Sequence, residues 1–572
     1  MFSIYYNKNN NSKLFEHLEK HDFEKVQNFV PLYLNYFNLD EKNYNSINLN
    51  QRFNIQSILK QNSNNCFNIT CLDNSNNKIK VDSFFKFSPL LDPVKFMVGK
   101  YKNITKETMT KLPQLNNDNI HAKVLDKNNS AYVDSFFSYL TSQLYHKVGF
   151  THGLDFYGSF LGIKNELKLN VYDDLEYLFD SDFFHKQKNQ LFDMDDIDEE
   201  RLIEGDTRNY RKKIVVENED INVDIQTIDN NFMEEVFELT QENLEKHNNE
   251  LKEEYSVKNN KNLENKSEKR SNSTCSSRTS NTSNNEEISS DESNELESCE
   301  NSQLSEYSSL SEENIYAIIK NFPVQIICLE KMDNTLDSLL DNEGNNKTNN
   351  LELSNKEWSS CLFQIIMILI TYQKIFDFTH NDLHTNNIMF QKTDRKFINY
   401  KYNNIYYRVP TFGRIYKIID FGRAIYSFNG KTICSDSYHP KGDAATQYNF
   451  EPYFNEKKPR LKPNKSFDLC RLACSLYDFF VDDIENENKI KNPIAKLIIK
   501  WTKDDKGRNI LYKNNGEERY PDFKLYKMIV RTVHQHVPEN ELSNTLFSQY
   551  KSSKKKIKKA KIINIDKMEP MI

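Results

Sequence analysis

Glycine is scarce in this chain, with 13 in 572 residues and none before Gly99. That excludes a phosphate cradle of closely spaced glycines anywhere in residues 1–98. Cysteine forms no framework either. The nine cysteines (66, 71, 275, 299, 328, 361, 434, 470 and 474) are odd in number and contain no CxxC pair. A disulfide-stapled domain and a zinc ribbon are both poor fits, and a reduced, intracellular protein is expected. Long apolar runs are missing as well. The most apolar stretch, 361–370, is interrupted by Gln364 and falls short of the roughly 20 residues that span a bilayer. Residues 1–10 show no apolar core behind a basic flank, so neither a signal peptide nor a membrane partner is expected. Neither sign of charge dominates. Lys and Arg total 76 against 83 Asp and Glu, for a net charge of -7, and nothing global points to a nucleic-acid partner. Hydrophobic residues make up 37%, less than in an ordinary globular chain, so the deficit must be concentrated somewhere.

It is concentrated in 257–315, a segment composed almost wholly of Ser, Asn, Glu, Lys and Thr. Such a composition cannot bury enough apolar surface to offset chain entropy, and it predicts disorder. It lies within an acidic, Ser/Asn-rich insertion over 181–315 that includes the acidic run 193–200. Its serines lie among acids and are read as solvating residues, with autophosphorylation as the alternative. Elsewhere the patterning is ordered. Residues 1–50 are polar with short aromatic patches and read as a weakly defined extension. Period-two patterns at 53–59, 66–72 and 79–87 predict three strands, with a turn at 74–77. A helix is expected over 131–145, capped by Asn129 or Ser130, and another strand over 154–163. Gly153, Gly158 and Gly162 are followed by no Gly-Lys-Ser/Thr, so turn and packing roles are expected of them. After the insertion, 324–329 reads as a buried strand and 357–376 as a long apolar helix. Cys470 and Cys474 share one helix face and are expected in the core. The end of the chain is a basic tail (549–572), with lysines at 554–556, 558 and 559, and a solvated, disordered tail is expected.

One stretch carries chemistry. His380-Asn381-Asp382-Leu383-His384-Thr385-Asn386-Asn387 leads into an apolar strand. A carboxylate at 382 can orient an acceptor hydroxyl and take its proton, and an amide five residues on, at Asn387, can hold a metal ion on nucleotide phosphates. His380 would brace the loop. Downstream, Lys417-Ile418-Ile419 ends in Asp420-Phe421-Gly422, where Asp420 suits Mg²⁺ and Gly422 allows a sharp turn. His380 and His384 are four apart but lack the helix and adjacent Glu of a zinc protease.

In this order the two motifs resemble those of the eukaryotic protein-kinase superfamily, and the texture of 378–425 is similar to divergent putative kinases of mimivirus-type giant DNA viruses. The resemblance covers 50–545 without the insertion. It implies an α+β fold of two lobes: a β-rich N-lobe over 51–180, completed by the strand and hinge at 316–335, and a helical C-lobe over 336–548. It also implies ATP and Mg²⁺ as cofactors, a protein substrate, Ser/Thr as acceptor, and a location in the host cytoplasm or the virion. Lys86 would hold the α- and β-phosphates, with Asp134 as its partner where the family has a glutamate. Glu330 and Met332 would lie in the hinge that receives adenine on its backbone. Asp468 would bond the backbone of the catalytic loop.

The departures are informative. The turn at 61–65 is Gln-Asn-Ser-Asn-Asn, without glycine. Asn tolerates left-handed backbone but cannot bring it as close to phosphate as glycine can. Asn381 stands in place of an arginine that senses loop phosphorylation, and His384 in place of a lysine. Ala-Pro-Glu is missing, and Glu451 is the candidate for that glutamate's structural role. Three readings follow: an active protein kinase, a small-molecule kinase suggested by His384 and the missing Ala-Pro-Glu, and a pseudokinase scaffold suggested by the glycine-free turn.

Overall fold

A computed structural model describes residues 2–116, 119–194, 315–340, 353–481, 484–557 and 560–572. The segment 257–315, expected to be disordered, lies outside them except for Ile315, which is buried and accepts the Val171 N–H. The architecture is α+β, with several sheets and a set of largely buried helices.

The largest sheet has seven antiparallel strands. The alternating segments form its one side as Phe53–Gln61, Cys66–Asp73 and Lys78–Pro89, each within two residues of the expected bounds. Strand Tyr316–Glu330 sits between Lys78–Pro89 and Phe156–Asn170. Its run from Pro323 to Glu330 is buried throughout, which is why it reads as continuous apolar sequence rather than an alternation. Residues 1–50 correct the expectation of a weak extension. Phe23–Gln27 adds an edge strand to this sheet, pairing Phe23 with Lys164. Its exposed Glu24 and Lys25 mask the pattern, as is usual for an edge.

Helix Ser130–Gln143 follows the third of these strands in sequence, and the Asn129 side chain accepts the Ala131 N–H at 3.1 Å. Gly153 packs where a Cβ would lie 2.2 Å from the Thr141 carbonyl oxygen of that helix, so the position admits no side chain. Helix Asn355–Phe376 opens on a reciprocal Ser354/Glu357 capping box. It is long and apolar enough by length and composition to cross a membrane, more so than 361–370 suggests, yet it is buried within the fold almost throughout. Helix Phe467–Phe480 meets it where the Trp358 and Phe480 rings lie 5.2 Å apart, and places Cys470 and Cys474 in the core.

A four-stranded sheet corrects the reading of the tail. Ile562–Asn564 pairs in parallel with Phe397–Tyr402, and Lys551–Ser552 pairs with Ile405–Pro410. Further on, the Met571 N–H donates to the Ile375 carbonyl at 2.8 Å, and the Asn429 N–H donates to the Met571 carbonyl at 2.7 Å. Backbone bonds make these contacts, so the basic side chains gave no sign of them.

Buried His152 also ties this sheet to its neighbours. Its Nδ1 lies 2.7 Å from the Tyr416 carbonyl and its Nε2 lies 2.6 Å from the Tyr400 hydroxyl. A carbonyl only accepts, so Nδ1 carries the proton and Nε2 accepts from the phenol. Burial pushes this ring down to about 4. A depressed folded pKa gives stabilisation that is full above the unfolded value of about 6.5 and lost as pH falls through the folded one. Wild type should therefore lose more stability than His152→Asn between pH 7 and pH 4, by an amount approaching about 3 kcal/mol. Urea denaturation at several pH values measures this. The buried carboxyls of Asp134, Asp436 and Asp468, raised by burial, act in the opposite sense and cancel in the comparison.

Candidate active site

Strand pairing brings the two motifs together. Ile388–Lys392 pairs antiparallel with Arg414–Ile418, matching Ile388 to Ile418. Just beyond that ladder the Ile419 N–H donates to the Asn387 carbonyl at 3.0 Å. Asn387 and Asp420 thus leave the same end of one ladder as near neighbours. Asp420 has φ +65° and Asn381 φ +67°, backbone that non-glycine residues rarely adopt and that concentrates at functional sites.

The backbone of the 380–387 loop is held from below. Asp468 accepts the N–H groups of His380 and Asn381, each at 2.9 Å, the bond implied by the resemblance. The His380 ring donates Nε2–H to the Ile419 carbonyl at 2.9 Å, and its Nδ1 accepts the Asp382 N–H at 3.3 Å. It lies behind the loop, buried, and joins it to the Asp420 strand.

Lys86 reaches the same place from the large sheet. Its ammonium lies 2.7 Å from Asp134 Oδ2 and 2.9 Å from Asp420 Oδ1. Asp134 also accepts the Phe421 N–H at 2.9 Å through Oδ1. The shorter acid therefore does reach the lysine. Burial pushes the ammonium down, but the two carboxylates outweigh it and hold Lys86 above its ordinary value. For Asp134 burial prevails, with the Asp420 charge adding to it against Lys86, and its carboxyl lies above the usual range. One positive charge against two negative leaves an excess that a divalent cation beside Asp420 would offset.

A second observation fits such a cation. Asn387 donates through Nδ2 to the Asp382 carbonyl at 2.9 Å and toward His384 Nε2 at 3.0 Å, whereas its buried Oδ1 has no partner among the described residues. A buried amide oxygen left unsatisfied is costly unless a ligand completes it. An amide and a carboxylate are also the hard oxygen donors that Mg²⁺ takes when phosphates and water supply the rest. Among the described residues no group of three or more His, Cys, Asp or Glu forms a metal cluster.

Asp382 lines a cleft of about 720 Å³, open to solvent, together with Asp134, Asp420, Ser88, Lys123 and Arg423. Burial pushes its carboxyl up. Arg423, His384, Arg471 and a bond from Tyr526 pull it down further, and it lies below the usual range. Burial drives His384 down to about 4, so the ring is neutral at pH 7 and offers no fixed cation where the family has lysine.

Glu330 and Met332, expected in a hinge, differ in what holds them. The Glu330 side chain is buried and paired with Lys417, and it accepts the Asp155 N–H at 2.8 Å. Its own N–H donates to the Asp155 carbonyl at 3.0 Å. Glu330 is thus a structural bridge, which corrects its reading as a nucleotide contact through side chain or N–H. The N–H groups of Lys331 and Asp333 are taken by the Asp82 and Phe390 carbonyls, while that of Met332, between them, has no bond among the described residues. The 62–65 turn is exposed at 62–64 and buried at Asn65, and it bonds back onto its own strands. Asn62 and Ser63 donate to the Cys66 carbonyl (2.8 and 3.3 Å), Asn65 Nδ2 donates to the Phe85 carbonyl (2.9 Å), and none of the four has positive φ. Glu451 is exposed and bonds Arg460 at 2.8 Å, which corrects its expected structural role.

Tyr526, Arg471 and Arg423 complete the surroundings of Asp382 and carry no motif signal of their own, although Arg423 directly follows Gly422.

No protein-family model matches the chain. Over 179 residues it is 29% identical to uncharacterized protein 098R of Invertebrate iridescent virus 6, covering 31% of this chain and 27% of that protein. Over 110 residues it is 34% identical to a probable serine/threonine-protein kinase of Dictyostelium discoideum, covering 18% of this chain and 9% of that one. The similarity is therefore to a part of each relative.

Proposed function

We propose that this chain is a kinase-like phosphotransferase that moves the γ-phosphate of ATP to a Ser or Thr hydroxyl of a protein. In this reading the large sheet with helix Ser130–Gln143 is the N-lobe, and 336–548 form the C-lobe. The observation that carries it is the convergence of Lys86, Asp134 and Asp420 beside the loop of Asp382 and Asn387.

Lys86 would hold the α- and β-phosphates, with Asp134 and Asp420 fixing its ammonium. Asn387 Oδ1 and Asp420 would hold Mg²⁺, which when bound offsets phosphate charge. The Met332 N–H is the group left to meet adenine. Asp382 would orient the acceptor hydroxyl and take its proton as the acceptor oxygen bonds to the γ-phosphorus and the bond to the β-phosphate oxygen breaks, releasing ADP. The work is mainly positioning and charge compensation.

One observation favours the scaffold reading. The Asn62 and Ser63 N–H groups point to Cys66 rather than outward, and so are not presented to phosphate. Binding of Mg-ATP separates the two. At a concentration 100 times its Kd, Mg-ATP should stabilise wild type by about 2.7 kcal/mol. A thermal shift reads this, and Lys86→Met and Asp420→Asn should show none. An unmoved wild-type midpoint would sink the catalytic reading.

A further inference from the structure

The side of Asp382 away from the cleft is closed by groups that belong to no motif. Tyr526, on helix Phe523–Thr532, lies with its hydroxyl 2.8 Å from Asp382 Oδ1. Arg471 Nε, on helix Phe467–Phe480, donates to the same hydroxyl oxygen at 3.0 Å. The arginine can only donate, so the phenol accepts there and gives its one proton to Asp382. The hydrogen-bonded chain has a single direction: Arg471 to Tyr526 to Asp382.

Tyr526 is fixed in place. It is 5% exposed, and its helix packs Phe523, Leu525, Ile529 and Val530 into one hydrophobic cluster. The Arg471 guanidinium carbon also lies 5.2 Å from the centre of its ring. Asp382 lines the cleft and Tyr526 does not, so the phenol meets the carboxylate from the core and leaves the cleft side clear.

We propose that Tyr526, held by Arg471, is the positioning residue for the base: it fixes Asp382 Oδ1 from the core so that Oδ2 faces the cleft and the acceptor hydroxyl. The proposal rests on the phosphotransferase reading above. The charged and titratable groups around Asp382 are Arg423 after Gly422, His380 and His384 on its own loop, Arg471 and Asp468 on one helix, Tyr526 on another, Tyr438, and Asp420 across the cleft. Of these, Tyr526 donates the hydrogen bond to the carboxylate, and it links Arg471 to it.

Tyr526→Phe keeps the ring in the core and removes the O–H. The kcat for phosphate transfer should fall about tenfold, the effect of about 1.4 kcal/mol, with KM for Mg-ATP unchanged. The acid limb of the kcat–pH profile should move to higher pH, because a hydrogen bond to the ionised carboxylate has been lost. A tyrosine that merely filled space would leave that limb where it was. Unchanged kcat and an unchanged limb would overturn the proposal. If wild type transfers nothing, it is the phosphotransferase reading that fails. The positioning claim is then read from ¹³C-labelled aspartate, with the Asp382 carboxyl resonance assigned by its loss in Asp382→Asn. A higher titration midpoint in Tyr526→Phe supports the claim, and an equal midpoint overturns it.

Discussion

Replacing Asp382 by asparagine should lower the rate of phosphate transfer by about 10²–10⁴-fold while leaving Mg-ATP binding and folding near wild type. The separation follows from the geometry. The Asp382 carboxylate is bonded to Tyr526 on its core side, and the amide oxygen of asparagine can accept the same proton. The loop itself is held by Asp468 through the backbone of His380 and Asn381, which the substitution leaves intact. Lys86, Asp420 and Asn387, the groups proposed to hold the nucleotide and its metal, are untouched. A steady-state assay with labelled Mg-ATP, run beside a thermal-shift titration, reads both quantities. If rate and nucleotide binding fell together, Asp382 would be structural rather than the base.

Replacing Lys417 by methionine should destabilise the chain by about 3–5 kcal/mol, a large share of the stability of any domain. Lys417 is 1% exposed, and its ammonium pairs with the buried carboxylate of Glu330. Methionine fills much the same volume, so the loss is electrostatic. It leaves the buried Glu330 side chain without its cation, and the bond from the Asp155 N–H is what remains to it among the described residues. Adding Glu330→Gln to Lys417→Met should recover much of the loss, because the amide no longer carries a charge to be compensated. Urea denaturation of the four proteins in the cycle measures the coupling. A loss below about 1 kcal/mol in Lys417→Met would mean that the pair is open to water. The effect bears on the proposed function because Glu330 ends the strand that leads to Met332.

What could be read in the sequence was what is encoded locally. The three alternating strands, the helix capped by Asn129 and the spacing from Asp382 to Asn387 are all set within a few residues of chain. The resemblance makes Asp134 the partner of Lys86 despite its short reach, and the helix brings it to 2.7 Å. The missed parts depend on long-range contacts. Tyr526 lies 144 residues from Asp382 in sequence, and nothing about a tyrosine in an amphipathic helix signals a bond to a carboxylate. Lys417 reads in sequence only as the start of an apolar strand, because a buried lysine becomes recognisable once its acid is known. Residues 1–50 and the tail join their sheets through backbone bonds, which leave little trace in side-chain pattern. Glu330 reads in sequence as a nucleotide contact because it stands just before Met332, and its burial against Lys417 lies outside any motif.

The most direct test of the central claim is transfer of labelled γ-phosphate from Mg-ATP by the purified full chain, to itself and to a generic basic protein, beside Asp420→Asn. Incorporation by wild type that disappears in the variant is the predicted result. A folded wild type that binds Mg-ATP yet transfers no label to either acceptor would contradict it.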